Sequence, residues 1–306
     1  MTVELRPPRR EDAPAIAAAL NEFNRPAGFD LDSPEEVALW LEFPSFDLER
    51  DVRVAVADGE IVGYSEAFDP SGEGNFVFAD VRAGPAHRDA SEALLDFVEE
   101  HARELAAPGG KIKIWTAEKA EDWRKFLEAR GYELRRYSLR MIAGLEDEPH
   151  EPAWPPGVSV RTLRGEEDER PAYEVQQETF ADQGDDYVPE SFEDWRHWLR
   201  REPFDPELWF LAWEGDELVG VSLCRGEWAG DAEFGWVSVL GVRRPWRRKG
   251  LATALLLHSF RELHARGKKR VGLGVRADNA TGAVHLYERV GMTVQWRHLW
   301  YEKEAG

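Results

Sequence analysis

The chain has 306 residues, 42% of them hydrophobic and 11% aromatic, which favours two folded domains and excludes a disordered or low-complexity protein. A formal net charge of −20 argues against a general nucleic-acid or anionic-membrane binder, and no apolar run approaches the ~20 residues of a membrane helix. With one cysteine, Cys224, and no secretion-signal pattern, we expect a cytoplasmic protein, monomer or homodimer, with no nucleic-acid or membrane partner.

Four segments of the first half recur in the second half in the same order. The matching segments are 3–9 with 158–164, 33–41 with 191–199, 58–63 with 215–220, and 126–132 with 286–292. Similarities in a fixed order with slowly drifting offsets are typical of a duplicated domain with small loop insertions. We therefore predict two copies of one domain, 1–145 and 158–306, joined by the acidic, proline-rich linker 146–157.

Each copy begins with a short β pattern followed by two helices. Ser33 precedes Pro34 and has Glu36 three residues later, the spacing of a capping box, and Ser191 with Asp194 is its weaker counterpart. In the second copy, strands are predicted at 208–213, 218–224, 234–242, 271–275 and 292–301, and helices at 250–266 and 279–290, the latter with Asn279 as N-cap. The order β-α-α-β-β-β-α-β-α-β predicts an α/β fold, with a mixed sheet covered by helices.

A cationic segment separates the strand 234–242 from the helix that follows it. Residues 243–270 contain ten cationic residues and one acidic residue, in a strongly acidic chain. The predicted strand leads into this segment, and the next helix is predicted to begin within it, at Gly250. Free backbone N–H groups at a helix N-terminus attract anions, and a glycine lets a phosphate approach the backbone. The pattern predicts a diphosphate site, and a basic strand–helix connection without a ligand is the alternative.

A second glycine pattern does not support a dinucleotide site. Gly272 and Gly274 formally match the dinucleotide-binding fingerprint, but both lie inside a predicted strand, and no acidic residue follows about twenty residues later. We expect these glycines to mark a close approach of a backbone segment or a helix.

Two motifs resemble the signatures of a known family. The run from Leu240 to Ala252, with Arg247 and Gly250 at their spacing, resembles the acetyl-CoA signature of the GCN5-related N-acetyltransferases (GNAT). Residues 279–292 resemble the second signature of that superfamily, in the correct order and on the correct element. The resemblance covers 158–303 and reaches the first half through the repeat. It implies two tandem GNAT-like acyl-CoA N-acyltransferase domains.

The resemblance also implies how the second copy works: an acetyl group passes directly from acetyl-CoA to an amine in a ternary complex. The edge of strand 234–242 would pair with the pantetheine arm, and a strand N–H would polarise the thioester carbonyl. Tyr287 would protonate the departing thiolate, although a core-facing aromatic is the alternative. The implied cofactor contacts are Leu240, Val242, Arg247, Arg248, Lys249, Gly250, Leu251, Ala252, Thr253 and Asn279.

The general base is where this chain departs from the pattern of the tandem members. An amine acceptor is protonated at neutral pH and must lose a proton before it attacks. The glutamate expected six residues before Val242 is replaced by Trp236. Glu233 is the nearest carboxylate on the strand, Asp231 and Glu227 are alternatives, and a solvent-facing role for Glu233 is equally consistent with the sequence.

The first copy lacks the features of the diphosphate loop. Its equivalent segment, 85–95, is one residue shorter, has no glycine, and carries Asp89 and Glu92 where a phosphate would lie. Leu127 stands at the position of Tyr287. We therefore expect the first domain to have a structural or acceptor-shaping role.

The sequence thus predicts an N-acetyltransferase that uses acetyl-CoA and a small-molecule amine acceptor, with its active site in the second domain. A non-catalytic acetyl-CoA sensor is the alternative, because Trp236 replaces the expected carboxylate. The acidic balance and the absence of an aromatic-rich basic face disfavour nucleic-acid binding through the cationic segment. No metal site is predicted, since the eight histidines are scattered.

Overall fold

The computed structural model describes residues 3–28, 30–183, 187–199, 204–278 and 282–306. In chain order its elements are β1 (Val3–Arg6), α1 (Ala13–Ala27), α2 (Pro34–Trp40), α3 (Leu48–Asp51), β2 (Val52–Ala57), β3 (Glu60–Phe68), β4 (Phe76–Ala83), α4 (Arg88–Leu105), β5 (Lys111–Ala117), α5 (Glu121–Ala129), β6 (Glu133–Gly144), β7 (Val158–Thr162), α6 (Glu166–Phe180), α7 (Phe192–Leu199), β8 (Trp209–Glu214), β9 (Glu217–Arg225), β10 (Phe234–Val242), α8 (Leu251–Ala265), β11 (Arg270–Arg276), α9 (Ala283–Arg289) and β12 (Thr293–Glu304). The predicted mixed α/β fold is confirmed.

The chain forms two compact units. The first comprises residues 1–137 and 297–306, and the second comprises residues 138–296. These bounds differ from those of the two sequence copies, because the last strand of each copy contributes to the sheet of the other unit. Residues 138–144 pair with β11 in the second unit, and residues 298–304 pair with β5 in the first.

The first unit has the strand order β1-β2-β3-β4-β5-β12. Its strands pair antiparallel except for β4 and β5, which are parallel. The helix α2 begins with the predicted capping box: Ser33 Oγ accepts a hydrogen bond from the Glu36 N–H at 3.1 Å, and the Ser33 N–H donates to Glu36 Oε2 at 3.3 Å. Two helix-terminal donors are satisfied reciprocally in this way.

The second unit has the strand order β6-β11-β10-β9-β8-β7, in which only β10 and β11 are parallel among the pairs described. Helices α6 and α8 both pack against β9 and β10. Since successive strand residues face opposite sides of a sheet, two separate apolar cores result. Val219 and Val242 join the core with α8, whereas Val221, Leu223 and Val239 join the core with α6.

The first unit carries a buried charged network on the face that is apolar in the second. Glu66 and Asp80 lie opposite each other on β3 and β4, and each is about 5% exposed or less. Burial, and then repulsion from Asp80, raise the pKa of Glu66 to about 8. Arg82 Nη1 donates to Asp32 Oδ2 at 2.9 Å, and Arg82 Nε donates to Asp80 Oδ2 at 2.8 Å. The duplicated copies have therefore diverged at the centre of their sheets.

Candidate active site

An open strand edge lies in the middle of the second unit. β10 pairs with β11 only from Phe234 to Trp236, while its pairing with β9 continues to Val242. The register of the β9 pairing shifts between Val237 and Val239, where one extra residue bends the strand. Among the described residues, the edge of β10 that faces β11 thus has no ladder partner beyond Trp236.

Backbone groups of Leu240 and Val242 point to this open edge. The N–H of Arg243 donates to the Val219 carbonyl of β9 at 3.0 Å. Because antiparallel strands alternate between bonded and non-bonded positions, Gly241 also faces β9, and Leu240 and Val242 face the other way. The Val242 carbonyl accepts a hydrogen bond from Arg247 Nε at 2.8 Å. Among the described residues, the backbone groups of Leu240 and the N–H of Val242 therefore have no strand partner and are available to pair with an extended ligand. These are the two positions that the family resemblance implies.

The open edge leads into a loop rich in free N–H groups. After a 3₁₀ turn at Arg244–Trp246, Arg248 adopts φ +62° and Gly250 φ +88°, and α8 then begins at Leu251. Within the described ranges, the six backbone N–H groups from Arg248 to Thr253 make no hydrogen bond. A Cβ at Gly250 would meet nothing within 4 Å. Converging donors, the positive end of a helix dipole and open space together form an anion site.

The cations of this loop fall into two classes. Arg243 pairs with Glu178 at 3.0 Å, Arg247 pairs with Asp182 at 2.6 Å, and Arg244 also pairs with Asp182. Hydrogen bonds, chiefly from Arg244, lower the pKa of Asp182 to about 2. Arg247 therefore holds the loop through both Val242 and Asp182, and its predicted phosphate contact stays a prediction.

Arg248 and Lys249 form the second class. Both are exposed, and neither forms an ion pair with any residue of the described ranges. These two side chains are accordingly the cations that an anion at Gly250 would meet without breaking an existing pair. Asp182 was missed by the sequence analysis, because one acidic residue outside any motif carries no signal until the fold brings it to the loop.

Tyr287 lies on α9 and is 8% exposed. Burial raises the pKa of its hydroxyl to about 12, so the group keeps its proton at neutral pH. The hydroxyl makes no hydrogen bond to any residue that the structure describes, which leaves it available as a donor. The predicted contact Asn279 lies outside the described residues, and α9 itself begins after Gly282, at φ +75°.

Glu233 lies at the far end of β10. Its side chain is exposed, and its backbone carbonyl accepts hydrogen bonds from Lys269 and Arg270 where β10 and β11 are still paired. Leu240 follows seven residues later, about 23 Å along an extended strand. Of the alternatives, Asp231 pairs with Arg270 at 2.5 Å, and hydrogen bonding, first from Arg270, lowers its pKa. The structure therefore places Glu233 at the paired end of β10, about 23 Å along the strand from Leu240.

An aromatic cluster occupies the position where the family pattern has a glutamate. Trp236 stacks on Trp228 with ring centroids 4.1 Å apart and contacts Phe234 edge to face. A Cβ at Gly272 would lie 2.6 Å from the Trp236 ring, so it is a side chain of β10, and not the predicted backbone or helix, that approaches this glycine closely. At Gly274 the same expectation is wrong, because a Cβ there would meet nothing within 4 Å.

The corresponding loop of the first unit is built differently. There α4 begins at Arg88, whose guanidinium pairs with Glu92 at 3.0 Å. The carboxylate of Glu22 lies 2.3 Å from where a Cβ of Gly84 would be, beside the start of the loop. Together with Asp89, these acidic groups give the first loop the opposite charge character to the loop at Gly250.

None of the helices in the described parts of the chain combines the length and the hydrophobicity that a membrane-spanning segment requires. The same ranges contain no group of three or more His, Cys, Asp or Glu side chains arranged to hold a metal ion.

Comparison with known proteins identifies relatives over the whole chain. The model of the acetyltransferase (GNAT) family matches residues 169–292, which include the loop at Gly250 and Tyr287. The mycothiol acetyltransferase of Geodermatophilus obscurus is 32% identical over 309 residues, covering 94% of this chain and 96% of the relative. That of Streptomyces coelicolor is 31% identical over 312 residues, covering 96% and 93%.

Solved structures agree with this relationship. A GCN5-related N-acetyltransferase from Sphaerobacter thermophilus has a TM-score of 0.76 and 31% identity, with 99% of this chain and 96% of that chain covered. A tandem GNAT protein from the clavulanic acid biosynthesis pathway has a TM-score of 0.78 at 18% identity, covers both chains almost completely, and supports the tandem fold. With an open strand edge, an N–H-lined loop and relatives along its full length, this chain belongs to the GNAT family of N-acetyltransferases.

Proposed function

We propose that the protein transfers the acetyl group of acetyl-CoA to a primary amine of a small-molecule acceptor, directly within a ternary complex in the second unit. The observation that carries this proposal is the continuous path from the open β10 edge at Leu240 to the free N–H groups at residues 248–253. An extended amide-containing arm fits the first part, and a diphosphate fits the second.

We assign each residue a role according to its position along this path. The backbone of Leu240 and the N–H of Val242 would pair with the pantetheine amides, and an N–H on this edge would stabilise negative charge on the thioester oxygen. The N–H groups of residues 248–253, with Arg248 and Lys249, would hold the diphosphate. Tyr287, protonated at neutral pH, would donate a proton to the departing thiolate.

The acceptor is proposed as a small molecule because the full-length relatives are named mycothiol acetyltransferases. Because Trp236 stands in place of the expected glutamate, we propose the acceptor class, a primary amine, and not the acceptor of the relatives. The strong acidity of the chain favours a cationic amine. We further propose a monomer or homodimer and, in keeping with the single cysteine, a cytoplasmic location.

A non-catalytic acetyl-CoA sensor is the second candidate, and Trp236 is the feature that favours it. Release of free CoA thiol from acetyl-CoA, measured with a panel of primary amines and compared with an amine-free control, separates the two. We expect amine-dependent release for at least one acceptor. Saturating acetyl-CoA binding without release for any amine would instead support the sensor.

Each chain should bind one acetyl-CoA, although it contains two copies of the fold. A diphosphate at the first copy would meet Glu22, Asp89 and Glu92, and like charges a few ångströms apart cost about 1 kcal/mol each even in water. Since 1.4 kcal/mol is tenfold in affinity, the first site should be at least about a hundredfold weaker. Calorimetric titration measures the stoichiometry, and two sites of similar affinity would contradict this assignment.

A further inference from the structure

The segment before α7 holds a carboxylate whose orientation is fixed by its neighbours. Gln176 of α6 is 7% exposed, and its Nε2 donates to Glu190 Oε1 at 3.0 Å. Gln176 Oε1 accepts from Nε1 of the fully buried Trp195 at 2.7 Å. Because an indole N–H can only donate, the amide of Gln176 must turn its NH₂ group toward Glu190. Tyr173 additionally donates its hydroxyl to the Glu190 backbone carbonyl at 2.7 Å.

In the described ranges, no cation compensates the charge of this carboxylate. Glu190 forms no ion pair within the described ranges, and its second oxygen, Oε2, accepts no hydrogen bond from a described residue. The charged or titratable groups around it are Asp194 of α7, Tyr173 of α6 and Tyr187 of the connecting segment. Burial, followed by repulsion from Asp194, raises the pKa of Glu190 to about 7, and the hydrogen bond from Gln176 offsets part of that rise. Near neutral pH the group is therefore able both to accept and to release a proton.

Contacts of α6 bring this group to the open half of β10. Thr179 Oγ1 lies 2.6 Å from where a Cβ of Gly241 would be, so this part of α6 lies directly on β10 beside Leu240. Gln176 precedes Thr179 by three residues and shares its helix face. Glu190 is therefore hydrogen-bonded to a residue that lies one helical turn before the residue in contact with Gly241.

The first unit gives an independent indication of where the Glu190 carboxylate lies. Asp32 precedes Ser33, the N-cap of α2, just as Glu190 precedes Ser191, whose hydroxyl accepts from the Asp194 N–H at 3.0 Å before α7. A carboxylate in this position is the equivalent of Glu190 in the duplicated fold. In the first unit, Asp32 Oδ2 accepts from Arg82 of β4 at 2.9 Å.

The strand register shows which residue of the second unit corresponds to Arg82. Ala83 pairs with Gly63 on β3, and Val242 pairs with the repeated glycine, Gly220, on β9. Arg82 therefore corresponds to Gly241, a residue of the open half of β10. By this correspondence, we expect the carboxylate before α7 on the face of the sheet to which Gly241 belongs.

We propose that Glu190 is the general base that deprotonates the acceptor ammonium beside the open half of β10. The proposal rests on the function proposed above. One proton passes from the ammonium to the Glu190 carboxylate and later to solvent. The amine lone pair forms the C–N bond to the thioester carbonyl carbon and the C–S bond breaks. Tyr287 donates its proton to the thiolate sulfur. The second amine proton passes from the nitrogen to Tyr287 and restores its hydroxyl, so that atoms and charge balance.

Glu190→Gln is the decisive variant, because its amide oxygen can still accept from Gln176. In the wild type, kcat/KM should rise with pH through an ionisation near 7, separate from that of the acceptor amine. Glu190→Gln should lose this ionisation and lower kcat by ~10²–10⁴-fold, with an unchanged acetyl-CoA-induced shift in melting temperature. Glu193→Gln removes the same charge from the exposed surface of α7 and should behave as wild type.

Several outcomes would overturn the assignment. An ionisation near 7 that persists in Glu190→Gln, with kcat within tenfold of wild type, removes Glu190 as the base. Loss of that ionisation in Glu233→Gln but not in Glu190→Gln transfers the role to Glu233. If Glu190→Gln does not fold, Glu190→Asp replaces it: the ionisation should persist with kcat at least tenfold lower, and unchanged kcat contradicts the proposal. Wild-type protein without turnover on any amine overturns the proposed function itself.

Discussion

Gly250→Glu should abolish the stabilisation that acetyl-CoA gives the wild-type protein. At a hundred times its Kd, a ligand that binds only the folded state adds ~2.7 kcal/mol, on the order of 5–10 °C in Tm for a chain of this size. Gly250 opens α8 at φ +88° and faces open space beside free N–H groups. A glutamate there would put a like charge into the space of the diphosphate. Thermal shift with and without acetyl-CoA measures the effect.

The chain offers a matched control at the other end of the same helix. Gly267 follows α8 at φ +78°, and a Cβ there would likewise meet nothing within 4 Å. Gly267→Glu imposes the same backbone strain and the same charge, so it should lower Tm while keeping the full acetyl-CoA shift. A full shift in Gly250→Glu would contradict the assignment of the loop to the diphosphate.

Local features of the fold were predictable because they depend on nearby residues. The strand 234–242 has the predicted bounds, since a continuous apolar run ends at a cationic segment that cannot be buried. The Ser33 capping box forms as its spacing indicates, and α8 starts directly after Gly250.

Features that depend on long-range pairing were not predictable. The repeat shows that two copies exist, but not that residues 138–144 and 298–304 join the sheet of the other unit. Asp182, which pairs with Arg244 and Arg247, lies more than sixty residues away in sequence from those partners. The surroundings of Glu190 depend likewise on how α6 and α7 pack, which no periodicity in the sequence encodes.

The exposed position of Glu233 bears on which carboxylate is proposed as the general base. Proximity along a strand favoured it, since it was the nearest carboxylate to Trp236 in sequence. In the folded unit, however, β10 is paired around Glu233 and open around Leu240. Thr179 of α6 contacts the open half at Gly241, and Glu190 is hydrogen-bonded to Gln176 of the same helix, which is why we propose Glu190 rather than Glu233 as the base.

Tyr287→Phe should lower kcat by about 10²-fold while leaving acetyl-CoA affinity almost unchanged. The Tyr287 ring projects from α9 into the core of the second unit and is retained in the variant, so the fold and the open edge of β10 should persist. Only the hydroxyl is lost, whose pKa, raised to about 12, keeps it protonated over the whole working range. General acid catalysis contributes ~10²–10⁴-fold, and a thiolate is a fairly good leaving group, which favours the lower end.

Steady-state kinetics, combined with calorimetric titration of acetyl-CoA, separate this role from a structural one. Since the hydroxyl makes no hydrogen bond to a described residue, its removal leaves no described partner unsatisfied and should change Tm by no more than a few degrees. Loss of acetyl-CoA affinity in parallel with kcat would indicate a packing defect in the site. A decrease in kcat of less than about tenfold, with affinity intact, would leave Tyr287 as a core aromatic residue. The proton for the thiolate would then have to come from solvent at the open edge of β10.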